Sequence, residues 1–294
     1  MTVRPPDLRT SPTAARLTDL AARARELILR TAHGVGAGHV GGSLSATDVL
    51  VTLYFDELRV DPARPDDPDR DRFVLSKGHC GLGLYVVLAM RGYLDEAELT
   101  TFDRGGSRLQ MHPDSTKLPG IEISTGSLGM GLSAGLGMAL GARRSGRDFR
   151  THVLLGDGEL QEGMVWEAAH VAPRYGLDNL VAILDHNGLQ QYGWPPGDGD
   201  RADRRDPWAG ADVSAAFRAL GWHVLDVDGH DIPAVREAFT AARAVESRPT
   251  LVHARTRKGA GVSFLENTIA WHTGAPDDEQ LAAALAELGV EERA

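Results

Sequence analysis

The chain has 294 residues, 42% hydrophobic and 24% charged, a balance and length that suit one large soluble domain or two small ones. A formal net charge of -10 argues against a general nucleic-acid binder or a polybasic membrane anchor. Cys80 is the only cysteine, so no internal disulfide forms and a reducing cytoplasm is the expected compartment.

In chain order, residues 1–14 read as a flexible arm without the apolar stretch of a signal peptide, which leaves 15–294 as a single domain. Leu17, Leu20, Ala24, Leu27, Ile28 and Thr31 repeat at helical spacing. A glycine-broken loop follows from Gly34 to Gly42. Ser45 is then expected to cap a helix, with Asp48 three residues on as a weak capping box. Residues 61–71 are Pro- and Asp-rich surface loop. Thr125–Ala142 carries no charge, but its glycines make it too weakly hydrophobic for a membrane span. It reads as a glycine loop running into a tightly packed helix.

The second half alternates. Thr151–Leu155, Leu180–Leu184, Trp222–Val227 and Thr250–Ala254 read as strands. Leu160–Tyr175, Val213–Leu220, Pro233–Val245 and Asp277–Leu288 read as helices. This pattern predicts an α/β fold: a parallel sheet with helices on both faces and its ligand site at the carboxyl ends of the strands. Gly193–Asp212 is a long polar loop, which points to function or mobility.

One strand end is chemically distinctive. Gly156-Asp157-Gly158-Glu159 follows a strand and precedes a helix. The glycines allow a sharp turn and close backbone approach, and the free amides at the helix start favour an anion. Asp157 offers a carboxylate to a hard cation. Asn187, at the end of the next strand, offers an amide oxygen to the same place. With a backbone carbonyl and phosphate oxygens these would form an all-oxygen Mg²⁺ site. A second copy, Gly197-Asp198-Gly199, follows no strand and has no asparagine at the matching distance, so it reads as plain loop.

Gly156-Asp157-Gly158, then 28 residues, then Asn187 resembles the thiamine-diphosphate-binding motif. Other segments resemble transketolases, especially those split into two chains. They are Gly38-His39-Val40-Gly41-Gly42-Ser43, Ser76-Lys77-Gly78-His79, His112-Pro113, Thr125 to Gly131, Gly156 to Gly163, Asp228-Gly229-His230-Asp231, and Trp271-His272 with Gly274-Ala275-Pro276. Each piece is weak alone. The ordered series, over roughly residues 16 to 290, is specific.

The resemblance implies a thiamine-diphosphate-binding fold in which Asp157, Asn187 and the carbonyl of Leu189 hold Mg²⁺. Gly156, Gly158 and Glu159 would surround the diphosphate, and Gly126-Ser127-Leu128 would approach the aminopyrimidine. Glu162 matches a position that links the two active sites of the dimer. His39, His79, His112 and His272 match histidines lining the substrate channel. Imidazole titrates near neutral pH, so such a group can take a proton from a ketose hydroxyl and return one to an aldehyde acceptor. His33, His152, His170, His223 and His253 read as structural, and His230 as ordering its loop. His186 reads as a shell residue; family members commonly carry another residue there.

The run Gly188-Leu189-Gln190-Gln191-Tyr192-Gly193-Trp194-Pro195-Pro196 departs from the family's usual continuation. The glutamate that protonates the aminopyrimidine belongs, in the family, to a pyrimidine-binding module. The resemblance therefore implies a separate C-terminal transketolase subunit in an α₂β₂ assembly acting on ketose and aldose or aldehyde substrates. An alpha-type subunit of a 2-oxo-acid dehydrogenase, or of a specialised acyloin or ketol transferase, shares the Gly-Asp-Gly motif, but Gly38-His39 and Trp271-His272 resemble transketolases better. A non-catalytic thiamine-binding module is opposed by the intact Asp157, Asn187 and channel histidines. A nicotinamide-dependent dehydrogenase, which Gly129-Met130-Gly131 would suggest, fails because the segment before it, Leu118 to Ser124, is too irregular for the opening strand.

Overall fold

Five short runs rich in Val, Leu and Ala pair into one sheet: β1 (Arg72–Leu75), β2 (Thr151–Gly156), β3 (Leu180–His186), β4 (His223–Asp228) and β5 (Thr250–Arg255). The order is β1-β2-β3-β5-β4 and every neighbouring pair is parallel. The structure is a computed structural model that describes residues 12–191, 207, 208 and 210–290. Residues 1–11 of the expected arm, most of the Gly193–Asp212 loop and the Gly197-Asp198-Gly199 copy lie outside the described residues.

A parallel sheet covered on both faces needs strands that are apolar throughout. All of β2 is buried, and its side chains alternate between two cores: Leu154 joins one, Val153 and Leu155 the other. Val181 and Ile183 of β3 likewise oppose Ala182 and Leu184. The first core is closed by α1 (Ala14–Val35), α2 (Val40–Ser45), α3 (Thr47–Thr52), α4 (Gly81–Arg91), α8 (Ile232–Arg243) and α9 (Asp278–Glu287). The second is closed by α5 (Met130–Arg144), α6 (Gly163–Arg174) and α7 (Val213–Ala219). The expected helices on both faces are present.

Local chemistry sets several boundaries. Thr13 caps α1 through its side chain, and Gly36, at φ 78°, ends the helix in the left-handed conformation. The helix thus starts at Ala14, inside the expected arm. α5 lies against the sheet because Gly131 and Gly135 bring no side chain. A Cβ at Gly135 would meet Val153 Cγ2 at 2.3 Å, and one at Gly131 would meet Ser76 at 2.4 Å. No helix among the described residues is long and apolar enough to cross a membrane.

Three further sequence expectations need correction. Ser45 does not cap a helix: it is the last residue of α2, and Ala46 precedes α3. Its hydroxyl donates to Gly42 O at 3.0 Å and to Asp185 at 2.6 Å, while Asp48 is held by Arg25 and His230 instead of a backbone amide. The Gly34–Gly42 loop is shorter than expected, since α2 opens at Val40. The helix expected over Leu160–Tyr175 is interrupted: a 3-10 turn, Gly158–Gln161, precedes α6. β1 and α4 carry no signal in the sequence pattern. β1 has four residues, and α4 is buried at every position except Met90, which erases the periodicity that marks a surface helix.

Candidate active site

The carboxyl ends of β1, β2, β3 and β5 open onto one cavity of about 630 Å³. All the site residues expected from sequence line it except Ser127, which is exposed on the 126–128 turn. Lys77 and Lys258, which have no role in the sequence-based expectations, also line it.

The β2 turn forms one side. Asp157 is 2% exposed; its Oδ1 accepts from Gly158 N at 2.7 Å and its Oδ2 from Gly188 N at 2.6 Å. These bonds tie the β2 turn to the β3 turn. Burial, with the neighbouring Asp185 carboxylate, pushes the Asp157 carboxyl up to about 6. Asn187 donates through Nδ2 to Ser45 Oγ at 3.3 Å and Asp185 Oδ2 at 3.4 Å, and its Oδ1 accepts from Leu189 N at 3.1 Å. Asp157, Asn187 and Leu189 thus lie on adjoining turns that line one cavity. No group of three or more His, Cys, Asp or Glu able to hold a metal occurs among the described residues. A cation here would depend on amide, carbonyl and ligand oxygens as well as Asp157.

Glu159 lines the cavity, but its carboxylate is occupied. Oε1 accepts from Gly129 N at 2.8 Å and from the Ser76 hydroxyl, and Oε2 accepts from Gly156 N at 3.1 Å. Its work is to join the glycine turn before α5 to the β2 turn. Burial raises its carboxyl pKa despite these bonds.

Asp185, fully buried at the end of β3, organises the floor. It accepts from Lys77 Nζ, Ser45 Oγ and Thr256 Oγ1. Burial alone would neutralise it, but Lys77 and the hydroxyl donors hold its carboxyl below the usual range. Lys77, 1% exposed, is held charged above the usual lysine range by the same pair, against the effect of burial. Lys258 is 2% exposed, and burial beside Lys77 lowers its pKa to about 8. Its Nζ lies 2.7 Å from His272 Nδ1. The ammonium donates, so His272 Nδ1 accepts and the ring proton resides on Nε2.

The opposite wall is histidine. His39 stands 5.4 Å from His79, 5.8 Å from His112 and 5.4 Å from His272 between ring centroids, and His79 stacks on His272 at 5.2 Å. Burial, then His112 and the two lysines, lowers His39 to about 4. Burial and Lys258 lower His272 to about 3, and burial with Lys77 holds His79 well below the usual range. These three rings are neutral at physiological pH. Small residues make the wall possible: a Cβ at Gly126 would meet His112 Cδ2 at 2.9 Å, and one at Gly42 would meet Cys80 Sγ at 2.6 Å.

A ligand site at the carboxyl ends of the strands was legible from the alternation of strands and helices. The roles of Lys77, Asp185, Thr256 and Lys258 were not, because which face of the strand end each one takes depends on register.

Residues 18–294 match the family described as "Transketolase, thiamine diphosphate binding domain". The chain is 41% identical over 264 residues to one subunit of the apulose-4-phosphate transketolase of Phocaeicola vulgatus, covering 90% of each chain. It is 40% identical over 264 residues to a subunit of the 6-deoxy-6-sulfo-D-fructose transketolase of a Clostridium species, covering 90% of this chain and 93% of that protein. A crystal structure of Pichia stipitis transketolase in complex with sedoheptulose 7-phosphate superposes with a TM-score of 0.87 at 30% identity, over 95% of this chain and 41% of that one.

Proposed function

The chain belongs to the transketolase family, as its thiamine diphosphate binding domain, and on that premise we propose that it is the diphosphate-binding subunit of a two-chain transketolase. The complete enzyme moves a two-carbon ketol unit from a ketose donor to an aldehyde acceptor. The observation that carries this reading is the convergence of the β2 turn, two buried lysines and four histidines on one cavity.

The donor set suits the cofactor. Lys258 is a buried ammonium whose hydrogen-bond partner is a histidine rather than a carboxylate, a setting that an anionic diphosphate would relieve. Asp157, Asn187 and the Leu189 carbonyl are hard oxygen donors of the kind Mg²⁺ takes. When bound, thiamine diphosphate supplies the electron sink for cleavage of the donor C2–C3 bond.

The chain's own residues would bind, orient and move protons. Lys77 and Lys258 attract the diphosphate. His39 and His272, with depressed pKa values, stay neutral and orient substrate oxygens by hydrogen bonds, His272 donating through Nε2. We assign the proton transfer to His112, which lines both the main cavity and a second one that abuts it. Glu162 is exposed at the cavity rim, and Met130 and Met164 are exposed apolar side chains at the starts of α5 and α6. They support burial of this edge under a partner in an α₂β₂ assembly, as do relatives that are named as single subunits. A cytoplasmic location fits the lone thiol Cys80, which burial pushes up to about 11 and so keeps protonated.

The test is purification of the chain from its own cells with Mg²⁺ and thiamine diphosphate, followed by a ketol-transfer assay. We expect a stoichiometric second chain, activity from the pair and none from this chain alone. Full activity from this chain alone, or no second chain, would overturn the reading.

A further inference from the structure

On the face of the sheet opposite Lys77, the ends of β4, β5 and β3 carry a line of polar side chains where the apolar core would otherwise continue. Asp226 and His253 are cross-strand partners, and His253 pairs with Leu184, two residues before His186. Side chains in those positions share a face. His253 Nδ1 lies 2.9 Å from Asp226 Oδ1, and His253 Nε2 lies 2.7 Å from His186 Nδ1 with the rings stacked at 5.0 Å. Two groups of α7 anchor the outer end. Ser214 Oγ donates to Asp226 Oδ1 at 2.6 Å, and Arg218 Nη2 donates to Asp226 Oδ2 at 2.6 Å.

Ser214 Oγ also lies 2.7 Å from His253 Nδ1, but its one hydrogen goes to Asp226. Neither that oxygen nor the carboxylate then offers Nδ1 a proton, so His253 Nδ1 carries hydrogen. Burial and His186 hold His253 below its ordinary pKa, so the ring is neutral and its Nε2 accepts. His186 Nδ1 must therefore be the donor, and the ring plane of His186 is set from β4 through β5.

His186 is the last residue of β3 and precedes Asn187. Its neighbour Asp185 turns to the opposite face, where Lys77, Ser45 and Thr256 hold it. The turn carrying Asn187 and Leu189 is thus clamped from both faces of the sheet, by Asp185 on one side and His186 on the other.

We propose that Asp226, His253 and His186 form a positioning relay that sets the divalent-cation affinity of this chain by fixing the Asn187–Leu189 turn. The proposal rests on the metal reading given above. Residues that orient metal ligands typically change metal affinity by about 10- to 100-fold when lost. This relay acts one step further out, so the expected effect is about 10-fold.

The experiment titrates Mg²⁺ into the full chain with thiamine diphosphate present, follows cofactor binding by calorimetry, and records thermal melting of the same samples. The variants are His253→Leu, His253→Gln and Asp157→Ala. Leucine suits the neighbouring apolar core but ends the line. Glutamine places an amide oxygen near the position of Nε2, where it still accepts from His186. The relay predicts that His253→Leu raises the Mg²⁺ requirement about 10-fold, that His253→Gln recovers most of it, and that the Mg²⁺ requirement does not follow the melting temperature. A role in packing alone predicts the reverse order, with leucine the milder change. An unchanged Mg²⁺ requirement in His253→Leu, with binding lost in Asp157→Ala, would overturn the relay and leave the metal site standing. Unchanged Mg²⁺ dependence in Asp157→Ala would overturn the metal reading and the relay together.

Discussion

The two sides of the cavity receive the same treatment and respond in opposite ways. The floor, with Lys77 and Asp185, and the wall, with His39, His79 and His272, are all withdrawn from water. On the floor a buried ion pair with hydroxyl donors outweighs desolvation, and both Asp185 and Lys77 stay charged. On the wall the nearest charges are lysines, which add to desolvation, and the rings are driven neutral. Burial alone does not decide ionisation; the sign of the nearest partner does. The result is a division of labour, with a charged surface for an anion and its cation facing a neutral surface for hydroxyl and carbonyl oxygens.

The largest expected effect separates the sides by function. His112→Ala should lower turnover of the assembled enzyme by about 10² to 10⁴, the usual cost of a lost acid–base group. Cofactor affinity should remain within a few-fold, as measured by steady-state kinetics and calorimetry on one preparation. His272→Ala should show the same pattern with a smaller loss. Normal turnover in both would remove the wall from the chemistry.

A second change attacks the floor's stability. Lys77→Met leaves Asp185 buried without its cation, which costs about 3–5 kcal/mol when one partner of a buried pair is removed. Chemical denaturation should show that loss, and adding Asp185→Leu should recover part of it. Were the single variant as stable as the parent, the charged floor would not be held as described.

The smallest effect is a pH slope. His39 and His272 have folded pKa values near 4 and 3, below the ordinary histidine value of 6.5. Between pH 6.5 and about 4 the unfolded chain binds protons that the folded chain refuses, so stability falls as pH falls through this window. Replacing both rings by glutamine should flatten the slope in denaturation curves of the cofactor-free chain. An unchanged slope would assign it to other groups.

The legible and illegible parts of this molecule divide along the same line. The β2 turn was readable because its signal is local: an apolar run, a Gly-Asp-Gly turn and an Asn at the end of the next strand. The histidines became readable only through an ordered series of motifs, since a lone histidine carries no direction in sequence. The floor was hidden because Lys77, Asp185 and Lys258 meet across strands, and their pairing depends on a register that sequence does not print. The same holds for His253, which reads as structural from sequence and stands between Asp226 and His186. Ser45 shows the converse error. Serine before a helix is a sound capping signal, but here its hydroxyl is taken by the buried carboxylate of Asp185.

If one side of the cavity binds and the other reacts, the two functions must separate in single variants. The decisive experiment titrates thiamine diphosphate, at saturating Mg²⁺, into the parent chain, Asp157→Ala and His112→Ala. We predict that Asp157→Ala loses measurable binding and that His112→Ala binds within a few-fold of the parent. Equal losses in the two variants, or binding retained in Asp157→Ala, would contradict the division.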